Sequence, residues 1–464
     1  MADRAMTERA TAGRALSPIA LWGLLAAVAA LLFAWRISTQ WPTAPTSDGV
    51  NLDHVILFYS TLPRAAAAVL AGAVLGLSGL LLQRVLRNPL AEPSTLGISA
   101  GAQLAMTAAS VYAPFLMERS QGPVAFAGGI AAVLLVLSLT WRRGLEPVSV
   151  VLAGMMVALT ASAISAALIL ANGDYLFSLF IWGGGSLVQQ DWGPTIALST
   201  RLAVGAGAAL LLLRPLTILG LDEASARSLG IARHTSRFLV IALAVWMATT
   251  VAAEVGVIGF VGLAAPALAM LSGARSLGQK LLAAPLIGAI LLWLTDGLVQ
   301  LAAGAGGERI PTGAGTALLG GPVLLWLLPR LRLLEWPNLG TSGTSPRKAG
   351  RFIILLLLLL TLVAAVVALV LGRGPAGWSI ASGDMLADLA AWRAPRIGVA
   401  AAAGAMLAVA GVVIQRITGN PLASPEVLGV GTGAGAGLTA VLMVSATAGL
   451  AGSSPGQFSA RWRC

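Results

Sequence analysis

Cysteine, histidine and charge are all scarce in this chain. A single cysteine, Cys464, excludes an intrachain disulfide, and two histidines, His54 and His234, are too few and too far apart to build a metal or haem site. No metal or cofactor is therefore expected. No Walker A sequence occurs: the nearest stretch, residues 273–280, reads GARSLGQK and lacks the adjacent Gly-Lys-Ser/Thr that cradles phosphate, which excludes nucleotide hydrolysis by that motif. The short alternating strands of a membrane barrel are missing too. Only 10% of the 464 residues are charged, against 57% that are hydrophobic, so charges punctuate the apolar runs and do not cover a soluble surface.

Those runs are long enough to cross about 30 Å of hydrocarbon. Backbone groups in lipid must be satisfied within a segment, so the runs predict helices and the fold class is all-α, a polytopic membrane bundle. Candidate spans are 19–35, 65–83, 95–117, 122–141, 149–171, 195–213, two within 238–271, 281–303, 312–328, 352–371, 397–415 and 427–449. The stretch 238–271 is split because one helix of that length would reach about 50 Å and because Glu254 and Gly256 interrupt it. The first run follows Arg4, Arg9 and Arg14. A cleaved signal peptide is the rival reading, but Arg36 and many further spans follow without a clear cleavage site, so it reads as the first span.

The net charge of +11 sits in short clusters beside apolar spans, as the positive-inside rule requires, which points to orientation in a membrane and away from nucleic acid. Arg142, Arg143, Arg227, Arg233, Arg237, Lys280 and Lys348 all fall inside if the N-terminus is inside. Residues 333–351, with Pro337, Gly340, Gly343 and Pro346 ahead of Arg347 and Lys348, make a polar joint. The expected organisation is a cytoplasmic segment 1–14, a ten-helix half 15–332, a cytoplasmic linker 333–351, a partial second half 352–450 and an anomalous tail 451–464.

The strongest signal is a repeat at an offset of 332 residues. PRAAAAVLAGAVLGLSGLLLQRVLRNPLAEPSTLGISAGA (63–102) aligns without a gap to PRIGVAAAAGAMLAVAGVVIQRITGNPLASPEVLGVGTGA (395–434), with 19 of 40 positions identical. Shared apolar composition does not align Pro63-Arg64, Gly72, Gly79, Gln83-Arg84, Asn88-Pro89-Leu90-Ala91 and Leu96-Gly97 with their copies. An even number of spans separates equivalent points, so the halves face the same way, as parallel repeats do around a central path.

Pro63-Arg64, Gly79, Gln83, Asn88-Pro89-Leu90-Ala91 and Leu96-Gly97 resemble the permease family that imports iron-siderophores, haem and cobalamin with a periplasmic binding protein and a cytoplasmic ATPase. Leu219-Gly220, Glu223-Ala224, Ala226-Arg227 and Leu229-Gly230 are similar to its coupling segment. Gly259-Phe260-Val261-Gly262-Leu263 with Pro266, then Ile310-Pro311, Gly313, Thr316, Gly320 and Pro322, follow in the family's order. Ala267 and Met270 depart from the common His and Arg. Two fused halves resemble the iron(III)-hydroxamate permeases in particular.

The resemblance implies a bacterial inner-membrane, multi-pass transport subunit, not an enzyme, with ABC ATPase subunits, a periplasmic or lipid-anchored siderophore-binding protein and membrane lipid as partners, and a ferric siderophore as cargo. It implies that Asp222, Glu223, Ala226, Arg227, Leu229 and Gly230 dock the ATPase, that Arg64, Arg393 and Arg396 meet carboxylates of the binding protein, and that Gln83, Asn88 and Pro89, with Gln415, Asn420 and Pro421, form a cytoplasmic turn. Three plainer readings stand beside these: the loop 219–237 as a topology-fixing basic loop, the turn residues as purely structural, and the arginines as interfacial snorkels. Glu254 and Asp296 are read as hydrated at the outer interface. Gly72, Gly76 and Gly79 permit close helix packing, although 55 glycines make such spacing common. The last residues, GSSPGQFSARWRC, lose apolar periodicity after Ala451 and read as an early end to the second half. Rival functions are uptake of another ferric siderophore, haem or cobalamin, an inactive fragment, and a secondary transporter.

Overall fold

The computed structural model describes residues 17–41, 52–89, 91–119, 121–172, 179, 182–219, 233–303, 311–327, 350–374, 377–419, 423, 425, 437 and 441. The chain divides into two compact units, Met1–Leu334 and Glu335–Cys464.

In the first unit the apolar runs become helices: α1 (Pro18–Gln40), α2 (Leu62–Val85), α3 (Ile98–Tyr112), α4 (Gln121–Thr140), α5 (Pro147–Asn172), α6 (Gly193–Leu211), α7 (Arg233–Val255), α8 (Val261–Leu271), α9 (Leu277–Ala303) and α10 (Thr312–Leu327). Ser17 starts α1 by accepting a hydrogen bond from the Ala20 N–H at 3.2 Å, with Pro18 at the first helical position. A short helix, Leu52–Ile56, and a π turn, Leu57–Thr61, lead without a break into α2.

Helix α2 is the hub, packing against α9, α7, α8 and α6. Its side chains explain this: it is apolar all round, as a buried helix must be, and its small residues let neighbouring backbones come close. A Cβ on Gly72 would overlap the carbonyl of Gly288 in α9, and one on Gly79 would overlap that of Gly262 in α8. The glycine spacing that composition makes common is therefore the packing code of the core. Ser78 donates to the Ala244 carbonyl of α7 at 2.8 Å, satisfying a hydroxyl that lipid would leave unpaired.

Two helices are shorter than their apolar runs. The run 238–271 breaks at Gly256 (φ +73°) and Phe260 (φ +72°), leaving Glu254 inside α7. The 11 residues of α8 then span about 16 Å, half the hydrocarbon thickness. The run 95–117 holds a 3-10 turn, Pro93–Leu96, the 15-residue α3 and a short helix, Phe115–Arg119. Broken backbone at such depth is tolerated where protein buries it, and Val261, Gly262 and residues 264–269 of α8 are all buried.

The second unit holds α11 (Gly350–Val370), β1 (Leu371–Gly374), β2 (Gly377–Ile380) and α12 (Asp384–Thr418). The strands form a short antiparallel hairpin pairing Leu371 with Ile380, where the glycine-rich stretch after α11 ends the helix, and the fold class remains all-α. The expected span 427–449 lies outside the described residues except for 437 and 441, as do the tail 451–464 and the linker 333–351 short of Gly350.

Candidate functional site

At the predicted outer end of the first unit, α2 and α9 meet through charge. Arg64, in the first turn of α2, is buried, and its guanidinium reaches Asp296 of α9 with Nη2 to Oδ1 at 2.7 Å and Nε to Oδ2 at 3.0 Å. Gln300 Nε2 donates to Oδ2 at 2.6 Å and Thr312 Oγ1 to Oδ1 at 2.8 Å, so the carboxylate is satisfied by three side chains from three helices. A two-pronged arginine–carboxylate pair with extra donors is the arrangement that makes a buried charge tolerable. One expectation changes: Asp296 is 1% exposed and not hydrated at an interface, and Arg64 is buried as its internal partner.

The matching residues of the second copy differ. Arg396 is exposed on α12, while Arg393 is half-buried and donates from Nη1 to the Leu369 carbonyl at 2.7 Å. Of the three arginines expected on the outer face, Arg396 is the one whose side chain is open.

At the other end of α2, the end expected to face the cytoplasm, the turn motif is tightly built. Gln83 Nε2 donates to the Leu263 carbonyl of α8 at 3.1 Å, the Asn88 N–H to the Gln83 carbonyl at 3.2 Å, and the Ala91 N–H to the Asn88 carbonyl at 3.1 Å. Arg87 (φ +48°) and Gly97 (φ +79°) supply the left-handed turns before and after, while Pro89 and Pro93 prevent a continuous helix. Arg84 donates to the Leu216 carbonyl at 3.1 Å, tying the turn to the short helix Leu213–Leu219. Gln415, the second-copy match of Gln83, is exposed. Asn420 and Pro421 lie outside the described residues, as do Asp222, Glu223, Ala226, Arg227, Leu229 and Gly230.

Sequence reasoning passed over Glu92. Its Oε2 accepts the N–H of Phe260 at 3.1 Å across 168 positions, and its Oε1 accepts the Ser94 hydroxyl. Desolvation pushes its carboxyl above the ordinary carboxylate range. The available signal was an acid between two prolines in an otherwise neutral turn.

The comparisons with known proteins agree with this architecture. The FecCD transport family matches residues 19–330 and again 353–460, once for each unit, and the second match runs past Ala451, where the sequence alone loses its periodicity. The iron(3+)-hydroxamate import system permease protein FhuB of Escherichia coli (strain K12) is 44% identical over 438 residues, covering 93% of this chain and 66% of that protein. The Fe(3+) dicitrate transport system permease protein FecC of the same organism is 30% identical over 328 residues, covering 68% of this chain and 98% of that protein. A solved chain described as an inward-facing conformation of a metal-chelate type ABC transporter superposes with a TM-score of 0.54 at 26% identity, covering 67% of this chain and all of that one. The chain spans about two thirds or less of the length of the hydroxamate relatives it matches. With a helical unit packed around α2, a second copy of that helix 332 residues on and a family match over each, the chain belongs to the FecCD transport family.

Proposed function

We propose that this chain is the membrane permease of an ABC importer that carries iron(III)-hydroxamate siderophores across the bacterial inner membrane. The observation that carries the reading is the 44% identity to a hydroxamate permease across 93% of this chain, through both copies of the repeat. In this reading the chain is not an enzyme: cytoplasmic ABC ATPase subunits hydrolyse ATP, and a periplasmic or lipid-anchored binding protein delivers the ferric siderophore. Residues Asp222 to Gly230 dock the ATPase. Arg396, with Arg393 beside it, meets a carboxylate of the binding protein, and an exposed guanidinium there speeds encounter and fixes register. Arg64 acts from within by holding the outer end of α2. The turn Gln83 to Pro89 is a rigid structural element of the cytoplasmic face.

The test is uptake of a radio-iron hydroxamate complex by cells lacking their own hydroxamate permease and supplied with this chain, an ATPase and a binding protein. The reading expects uptake that stops when ATP is depleted and falls at least tenfold when Glu223 and Arg227 are both changed to Ala, a loss of about 1.4 kcal/mol or more in coupling. ATP-independent uptake would favour a secondary transporter, and no uptake with all partners present would overturn the reading. A second reading, another ferric chelate as cargo, has its own support in the dicitrate permease that this chain covers over 98% of its length; competition by unlabelled ferric dicitrate decides it.

A further inference from the structure

We infer that Glu92 is a positioning residue: its carboxylate holds the break between α7 and α8 in its bent form and so sets where the half-helix α8 stands. Three observations meet at this point. First, Phe260, the residue that caps α8, sits at φ +72°, a region that non-glycine residues occupy only when their surroundings hold them there. Its N–H is the group that Glu92 Oε2 accepts. Second, the Phe260 ring is seated on Gly320 of α10, where any Cβ would overlap it, so the strained residue is gripped at both its backbone and its side chain. Third, Glu92 lines a small cavity with Leu75 of α2, Ser99 of α3, Ala252 of α7 and the Gly256–Gly259 break, so the elements around the break share one enclosed space with it.

The orientation suits the helix start as well. The Phe260 N–H stands at the start of α8, where helix N–H groups lack intrahelical partners, so an acceptor oxygen there satisfies an otherwise unpaired donor. Ser94 fixes the second carboxylate oxygen, and Thr95 Oγ1 donates to the Glu92 carbonyl at 2.6 Å, so the side chain starts from a fixed backbone. The segment that carries Glu92 is anchored to the inner turn through Ala91 and Asn88 and is followed directly by the 3-10 turn Pro93–Leu96. A displacement of that turn is thus passed to Phe260 through one side chain. In the second copy the same two residue types are exchanged, with Ser424 at the place of Glu92 and Glu426 at the place of Ser94. An acid and a hydroxyl two residues apart are retained in both halves.

The conformational part of the inference stands apart from the transport reading, and its consequence for uptake rests on that reading. The test uses the full chain in native membranes with Cys464→Ser and one reporter, Ile258→Cys, a buried position beside the break. Reaction with a membrane-permeant maleimide follows the population of the locally opened break. Glu92→Gln keeps an oxygen for the Phe260 N–H and is expected to label within about twofold of the parent, whereas Glu92→Ala is expected to label about tenfold faster, the scale set by leaving one buried N–H unpaired. Glu92→Asp, one methylene too short to reach, is expected to fall between them.

Uptake should follow the same order at equal membrane abundance. Labelling of Glu92→Ala at the parent's rate would overturn the inference. If that variant fails to insert, Glu92→Asp labelling like Glu92→Gln would overturn it. Failure of the parent chain to transport counts against the transport reading alone, because labelling needs no partner and no cargo.

Discussion

The two copies of the repeat contain nearly the same helix in two different settings. Leu52–Val85 and Asp384–Thr418 are 34 and 35 residues long, begin and end at matching places, and both carry Pro-Arg early and Gln-Arg late. The most apolar stretch of the first is 78% buried and that of the second 6% buried. Gly72 and Gly79 each touch a neighbouring backbone, whereas Gly404, the match of Gly72, is exposed and meets nothing within 4 Å among the described residues. Helix formation therefore follows from sequence, which the two share, while burial follows from α7, α8 and α9, which are described for the first unit alone. Each shared residue is thus its own control: whatever it costs to lose at the first copy and not at the second is the contribution of packing.

The largest such difference should come from the arginines. Arg64→Ala would leave Asp296 buried without its cation, and such losses cost about 3–5 kcal/mol, while Arg396→Ala on an open surface should stay within about 0.5 kcal/mol. Thermal unfolding in detergent would show it. An equal effect at both positions would mean that Arg396 has a buried partner as well. The glycines should differ in sign. Gly72→Ala forces α2 away from α9 and should destabilise by about 1–3 kcal/mol, whereas Gly404→Ala, at an exposed position, should gain up to about 1 kcal/mol of helix propensity in the same assay. A smaller contrast is expected at the glutamines. Gln83→Ala deprives the Leu263 carbonyl of its side-chain donor at a cost of about 1 kcal/mol, and Gln415→Ala should be silent.

The smallest contrast is one of pH. Because burial raises the Glu92 pKa, the folded chain keeps a proton that the unfolded chain has already released. Its contribution to stability is then largest below the ordinary value of 4.5 and declines as pH rises toward the folded value. Unfolding midpoints measured from pH 4 upward should show this decline in the parent and a flatter profile in Glu92→Gln. At position 424, where the second copy has Ser, no such slope can arise.

Much of the fold is legible along the chain because lipid leaves the backbone few options. Apolar length dictates helices, and Gly256 announces the break in the long run 238–271. The hairpin Leu371–Ile380 is less legible, since its signal is a handful of glycines between two strongly apolar segments. The candidate site divides similarly. Gln83, Asn88 and Pro89 announce a turn because proline and asparagine act locally on their own backbone, and that turn is present. The partner of Gln83, the Leu263 carbonyl, is 180 positions away and leaves no mark near it.

The sequence by itself determined that this is a polytopic helical membrane protein built from a repeated unit, because hydrophobic length, backbone satisfaction and a 332-residue offset are properties of the chain alone. Only the tertiary structure decided which polar residues are internal. Arg64 and Arg396 stand at equivalent places after a proline in the two copies, and one pairs with Asp296 while the other is exposed. Glu92 reads as a turn residue until Phe260 is placed above it. A charge acquires its role from the partner that burial brings to it, and that partner lies 232 residues away for Arg64 and 168 for Glu92.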